Sequence, residues 1–227
     1  MKKLVFFIFF IFCFNSYSQK KEELSYSFDY FTIYSFKENL SDTLNNTKEI
    51  YFSNSKDSSY ILFLTTSKDT ISRAILTDYK NKRKLFYKDR IYHNKINDIK
   101  LFNSATYVKY DLDHCIKAKN SVYTIEYSSI DNKNLIKITR FKNNRRKKII
   151  NESFFETTPS EITKNQHYNL GLLATSLWCE KFILKNNEII TNSYFIEKGE
   201  KKYFRKLLQI EKTDFTINST INKIKTN

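Results

Sequence analysis

Asp111, Asp113, His114 and Cys115 lie within a few positions of one another and form the only dense cluster of potentially reactive side chains in the 227-residue chain. Carboxylates, an imidazole and a thiol together are the donor set of a metal site, or of a thiol nucleophile with its base. The sequence completes neither. A metal site lacks a second pair of ligands at a familiar spacing, and a Cys/His nucleophile lacks a visible third member, so the stretch reads better as a polar turn followed by a half-cystine. His167 stands apart, and a lone histidine at the start of an element reads as a capping or surface residue.

Absences narrow the chemistry further. With two glycines and one proline, the chain has no Gly-rich phosphate cradle of the dinucleotide or P-loop kind and no Gly-x-Ser-x-Gly elbow. His-Glu-x-x-His and Cys-x-x-Cys are missing as well, and with them the common zinc and thioredoxin-type sites. No cofactor and no metal is expected. Carboxylate pairs for glycoside cleavage are set by folding and not by local spacing, so a hydrolase with dispersed acids stands as the enzymatic alternative to a non-enzymatic protein.

Two groups of residues point to binding. Arg145, Arg146, Lys147 and Lys148, with Arg140 and Lys142 just ahead, are the densest basic patch. They suit phosphate or lipid headgroups, or serve as a charged hairpin end that keeps sheet edges from pairing. No familiar RNA-binding signature accompanies them. A formal charge of +15 favours anionic partners, although a composition rich in Lys, Asn and Ile and poor in Gly, Ala and Pro is also what AT-rich bacterial coding produces. The second group is aromatic. The even positions from Tyr26 to Phe36 read Tyr26, Phe28, Tyr30, Thr32, Tyr34 and Phe36, which puts the rings on one face of a half-buried strand. That row packs a core or lines a ligand surface.

The elements that must position these residues are strands. Between Glu49 and Lys88, apolar runs at Ile50–Ser53, Tyr60–Thr66, Ile71–Tyr79 and Leu85–Tyr87 are separated by short turns rich in Ser, Thr, Asn and Asp. Such side chains hydrogen-bond the backbone just ahead, so the chain reverses without glycine and an antiparallel meander results. Tyr60 to Leu64 is apolar on both faces, which implies a central strand with a layer on each side. A short strand follows around Thr106–Leu112. Hairpin logic returns at Val122–Tyr127, Leu135–Phe141 and Ile149–Phe155, with Tyr123, Ile125 and Tyr127 on one face. Thr158-Pro159-Ser160-Glu161 has the pattern of a helix start, with Thr158 as N-cap and Glu161 completing a capping box. Leu170, Leu173, Leu177, Trp178 and Leu184 then recur at mostly helical spacing, with a strand over Leu177–Leu184 as the competing reading. Glu188–Glu197 and Lys202–Glu211 form a last hairpin, with Phe204, Leu208 and Ile210 on one face of its second strand. The fold class predicted is mainly β (β-rich α+β), a long antiparallel meander forming a curved sheet or half barrel, covered by one helix around 160–185.

The first eighteen residues have the three-part layout of a secretory signal peptide: Lys2 and Lys3, an apolar run from Leu4 to Phe14, then small or polar residues up to a cut after Ser18. That run reaches only about half of the ~30 Å hydrocarbon core, so it does not read as an anchor. Ile11 and Phe12 ahead of Cys13 are too large for a lipidation site. A periplasmic or secreted protein is expected, with one β-rich domain over 19–217, a polar tail over 218–227, and no transmembrane segment once the leader is removed. Loss of Lys2 and Lys3 takes the formal charge from +15 to +13. Cys115 and Cys179 are then the only thiols, in a compartment that permits disulfides. A bridge between them would close a loop of about 65 residues, and the spacing alone does not decide whether they pair.

By architecture, such a chain resembles the half-barrel carriers that shuttle lipoproteins or lipids across the bacterial periplasm. The resemblance covers most of the mature chain and rests on no specific residue. It implies a non-enzymatic envelope or secreted protein whose curved sheet, lined by Tyr26, Phe28, Tyr30, Leu62 and Leu64, holds an apolar or amphipathic ligand. The alternative expectation is a surface-interaction protein that docks an anionic envelope polymer or a partner protein through its basic hairpin ends.

Overall fold

Short apolar runs bounded by polar turns account for most of the strands observed, with strict in-out alternation clearest in the fifth and eleventh of them. The computed structural model describes residues 20–42, 47–57, 59–67, 70–87, 90–91, 100–101, 105–109, 122–130, 133–160 and 188–223. The first meander comprises β1 (Lys20–Lys37), β2 (Lys48–Ser53), β3 (Tyr60–Ser67), β4 (Thr70–Asp78) and β5 (Arg83–Tyr87). Two short strands, β6 (Arg90–Ile91) and β7 (Lys100–Leu101), pair only with each other, and β8 (Ala105–Lys109) returns to pair with β5. The second meander is β9 (Val122–Ile130), β10 (Lys133–Phe141), β11 (Ile149–Pro159), β12 (Glu188–Glu197) and β13 (Glu200–Lys223). Antiparallel pairing of β1 with β13 joins the two into one 11-stranded sheet that is not closed, in the order β8-β5-β4-β3-β2-β1-β13-β12-β11-β10-β9.

The turns follow the polar side chains near them. Asn54 Oδ1 accepts from the amides of Lys56 and Asp57 at 2.8 and 3.0 Å, and Asp78 Oδ1 accepts from Asn81 N–H at 2.9 Å. Glycine is used where both central residues of a two-residue turn need positive φ. Between β12 and β13, Lys198 and Gly199 have φ of 53° and 85°, the geometry that matches the twist of a tight hairpin.

Each face of the first meander meets a different partner. On one face Tyr26, Phe28, Phe31, Ile33, Ile50, Phe52, Leu62, Leu64, Leu76 and Leu85 form the larger core, together with Ile217 and Ile221 of β13. The paired ends of β1 and β13 run past β2 and cross this core. Tyr26 donates to Asp78 Oδ2 at 2.8 Å, Arg83 Nη1 reaches Glu22 at 3.2 Å, and the Tyr87 and Ser219 hydroxyls lie 2.6 Å apart. On the opposite face Tyr34, Tyr51 and Ile61 pack against Ile136, Ile138, Phe155 and Ile190 of the second meander. The β3 strand is therefore covered on both sides by other parts of the same sheet. The helix expected around 160–185 falls almost entirely outside the described residues.

Four local expectations are corrected. The register of β1 against β13 shifts between Phe28 and Tyr30, and the face that enters the larger core changes from even positions, Tyr26 and Phe28, to odd ones, Phe31 and Ile33. Tyr34 joins the other core, so the six-residue row does not share one face. Thr158 and Pro159 are not a helix start; they pair with Ile189 and Glu188 at the end of β11, where a terminal proline costs the ladder little. Residues 218–223 are not tail but strand, with Ser219 and Ile221 buried. The register between β1 and β13 also skips Leu208, which is exposed, and Leu207 packs against the second core in its place.

Asp78 carries the polar edge of the larger core. Burial by itself would raise its carboxyl, but hydrogen bonds from the Asn81 side chain and backbone, Tyr26 and Arg83 outweigh that and hold it below the usual range. A carboxylate depressed on folding adds stability that is present above its unfolded value of about 3.9 and lost as pH falls through the folded value. Asp78→Asn is therefore expected to cost about 1–3 kcal/mol at neutral pH. The gap from wild type should narrow in melts run below about pH 4, and a gap unchanged by acid would refute the assignment.

Candidate functional site

Tyr26, Phe28, Leu62 and Leu64 are brought together, as the interior of the larger core. They are filled by each other and by their neighbours. Phe52 lies with its ring centroid 6.0 Å from Phe28, 5.9 Å from Phe31 and 4.9 Å from Phe215, while Tyr60 sits 5.1 Å from Tyr26 and 5.5 Å from Phe28. Tyr30 is not part of this group; it is half-buried, beyond the register shift.

Arg145, Arg146, Lys147 and Lys148 occupy the turn between β10 and β11 and are all exposed. Asn143 shapes the turn by accepting from Arg145 N–H at its side chain and from Arg146 N–H at its carbonyl, and Arg146 takes a φ of 53°. None of these four forms an ion pair among the described residues. The topology adds a second basic turn that the sequence patch did not reveal. Asn151 of β11 pairs with Glu197 of β12, so Lys198 in the β12–β13 turn and Lys201 at the start of β13, opposite Ile196, lie at the same end of the sheet as the first turn, while Lys202 is paired with Glu200 at 3.1 Å. Hairpin spacing alone could not show this, because it depends on which strands become neighbours.

Behind these turns a ladder of rings crosses three strands. Phe154 and Tyr194 stack at 4.8 Å and 9°, and Tyr194 and Phe204 at 6.0 Å and 24°. Lys201 Nζ lies 4.9 Å from the Tyr194 centroid and Lys137 Nζ 5.7 Å from that of Phe154. The rings turn their faces to each other and to lysines, which braces the strands and does not offer an open stacking platform.

The buried carboxylates are engaged internally. Glu49 is held by Arg205 and Tyr51, and Glu188 accepts from Asn134 Nδ2 at 2.6 Å and Thr157 Oγ1 at 2.9 Å. Burial, reinforced by the Glu49 charge, raises the Tyr51 hydroxyl well above its ordinary value and keeps it a donor. Among the described residues no three His, Cys, Asp or Glu side chains gather as a metal site, and no helix is long and apolar enough to cross a membrane. Asp111, Asp113, His114, Cys115, His167 and Cys179 lie outside the described residues. No protein-family model matches the chain, and no curated protein matches it either.

Proposed function

We propose that this chain is an exported, non-enzymatic envelope or secreted protein that docks on an anionic surface through its two neighbouring basic turns. The observation that carries the reading is the convergence of Arg145, Arg146, Lys147, Lys148, Lys198 and Lys201 at one end of the sheet without ion-pair partners among the described residues. Glu197 and Glu200 are exposed at the same end and Glu200 offsets Lys202, so the excess of positive charge comes mainly from Arg145–Lys148, and such an excess attracts a polyanion at a range set by the Debye length, about 10 Å at 0.1 M salt. Export rests on the leader pattern, and an N-terminus beginning at Gln19 on the secreted protein is the expected result. Binding to immobilised dextran sulfate should weaken steeply as salt rises. It should also fall at least tenfold, on the order of 1 kcal/mol or more, when Arg145, Arg146, Lys147 and Lys148 are all changed to glutamine. Salt-insensitive binding would count decisively against this reading.

A carrier of an apolar or amphipathic ligand is the second reading. What favours it is the edge of the second core at β9, where Ile125 and Tyr127 share a face with Ile136 and Ile138 yet stay exposed. A lipid retained by the native protein in mass spectrometry would support it.

A further inference from the structure

We infer that the anionic surface is a lipid bilayer, with Ile149 and Ile150 entering the headgroup region beside the basic turns. This rests on the docking reading above and adds the class of partner. Ile149 and Ile150 are 50% and 37% exposed, and they directly follow Lys147 and Lys148 in the chain. Their joint exposure has a backbone cause. Arg140 pairs with Asn151 but Phe141 pairs with Ile149, so Ile150 has no opposite residue. Such a bulge interrupts the in-out alternation of a strand, and here neither isoleucine is buried.

A hairpin end that only needs solubility has no use for two bulky apolar side chains among cations. Nor does a soluble polyanion, which would engage the charges alone. A bilayer interface engages both groups. Its phosphates meet the Arg and Lys heads, whose apolar stems also lie along the boundary, while branched aliphatic side chains enter beneath the headgroups. Arg145 and Arg146 offer planar donor forks matched to phosphate oxygens. The paired strands β11 and β12 hold the second turn, with Lys198, next to the first, so both turns stand at the same end of the sheet. Reversible attachment is expected, because a few cations and two isoleucines fall far short of a spanning segment.

Flotation of the purified secreted protein with vesicles of phosphatidylglycerol mixed with phosphatidylcholine tests this, with pure phosphatidylcholine vesicles and soluble dextran sulfate as the other arms. The expected result is capture by the mixed vesicles and not by the neutral ones. Ile149→Ser with Ile150→Ser should then reduce vesicle affinity about tenfold or more while leaving dextran sulfate binding unchanged. Equal vesicle binding by wild type and the double serine variant overturns the inference and leaves the docking reading standing, as does binding to dextran sulfate without binding to vesicles. Failure to bind either removes both. Should the double variant not fold, Ile150→Trp serves instead: its emission should shift to the blue on mixed vesicles, and an unshifted spectrum with the protein bound overturns the inference.

Discussion

Glu49→Gln should lower stability by about 3–5 kcal/mol, the usual effect of removing one partner from a buried ion pair. Arg205 meets Glu49 through two contacts, Nε to Oε2 at 2.6 Å and Nη2 to Oε1 at 3.2 Å, and Tyr51 donates to the same Oε2 at 2.9 Å. The side chains retain only 16% and 6% of their exposure, and the Phe36 ring, centred 5.0 Å from the guanidinium carbon, helps exclude water. Burial alone would depress Arg205, but the Glu49 carboxylate outweighs it and keeps the guanidinium charged. Glutamine would therefore leave a charge sealed inside the protein without a counter-ion. Arg205→Met should be comparably harmful, and Glu49→Leu combined with Arg205→Met should recover much of the loss, since neutral apolar pairs often replace buried ion pairs well. Urea denaturation of the three variants checks this. Losses below about 1 kcal/mol for the single changes would mean the pair behaves as an exposed one.

Phe52→Ala should cost about 3–5 kcal/mol, the range for deleting a large ring from a packed interior. Phe52 is fully buried, and its ring meets Phe28 and Phe31 of β1 and Phe215 of β13. The neighbours are held by their own strands and cannot collapse fully into the space, so a cavity term adds to the lost transfer energy. Phe52→Leu should cost less than half as much. Equilibrium unfolding separates the outcomes, and a loss for Phe52→Ala no greater than that for Phe52→Leu would show that the ring row is loosely packed. Such looseness would also favour the carrier reading, because an apolar ligand there must displace these rings.

Much of the architecture was legible from local chemistry. The turns after β2 and β4 form where Asn and Asp side chains cap the backbone, and the strands between them follow the apolar runs closely. Local signals failed where pairing overrode them. Thr158-Pro159-Ser160-Glu161 carries a sound capping pattern, yet β12 holds Thr158 and Pro159 in the sheet. The aromatic row of β1 kept strict alternation on paper, but the register shift after Phe28 redirects the residues beyond it. There, Asp29 accepts from the backbone and hydroxyl of Ser55 in the next loop, a contact that no period of two reveals. The candidate site divides in the same way. The cluster at Arg145–Lys148 was readable as composition, whereas its alignment with Lys198 and Lys201 required β11 and β12 to be neighbours.

By itself the sequence determined that the chain is strand-rich, where most strands start and stop, and which stretches are basic or apolar, because each depends on residues a few positions apart. Only the tertiary structure decided that β1 pairs with β13, that the second meander covers the back of the first, and that Glu49 meets Arg205 across 156 positions. The physical reason is that alternation specifies which side chains need burial but not what buries them. That choice comes from long-range pairing, where many apolar surfaces of similar kind compete and only the packed whole distinguishes them.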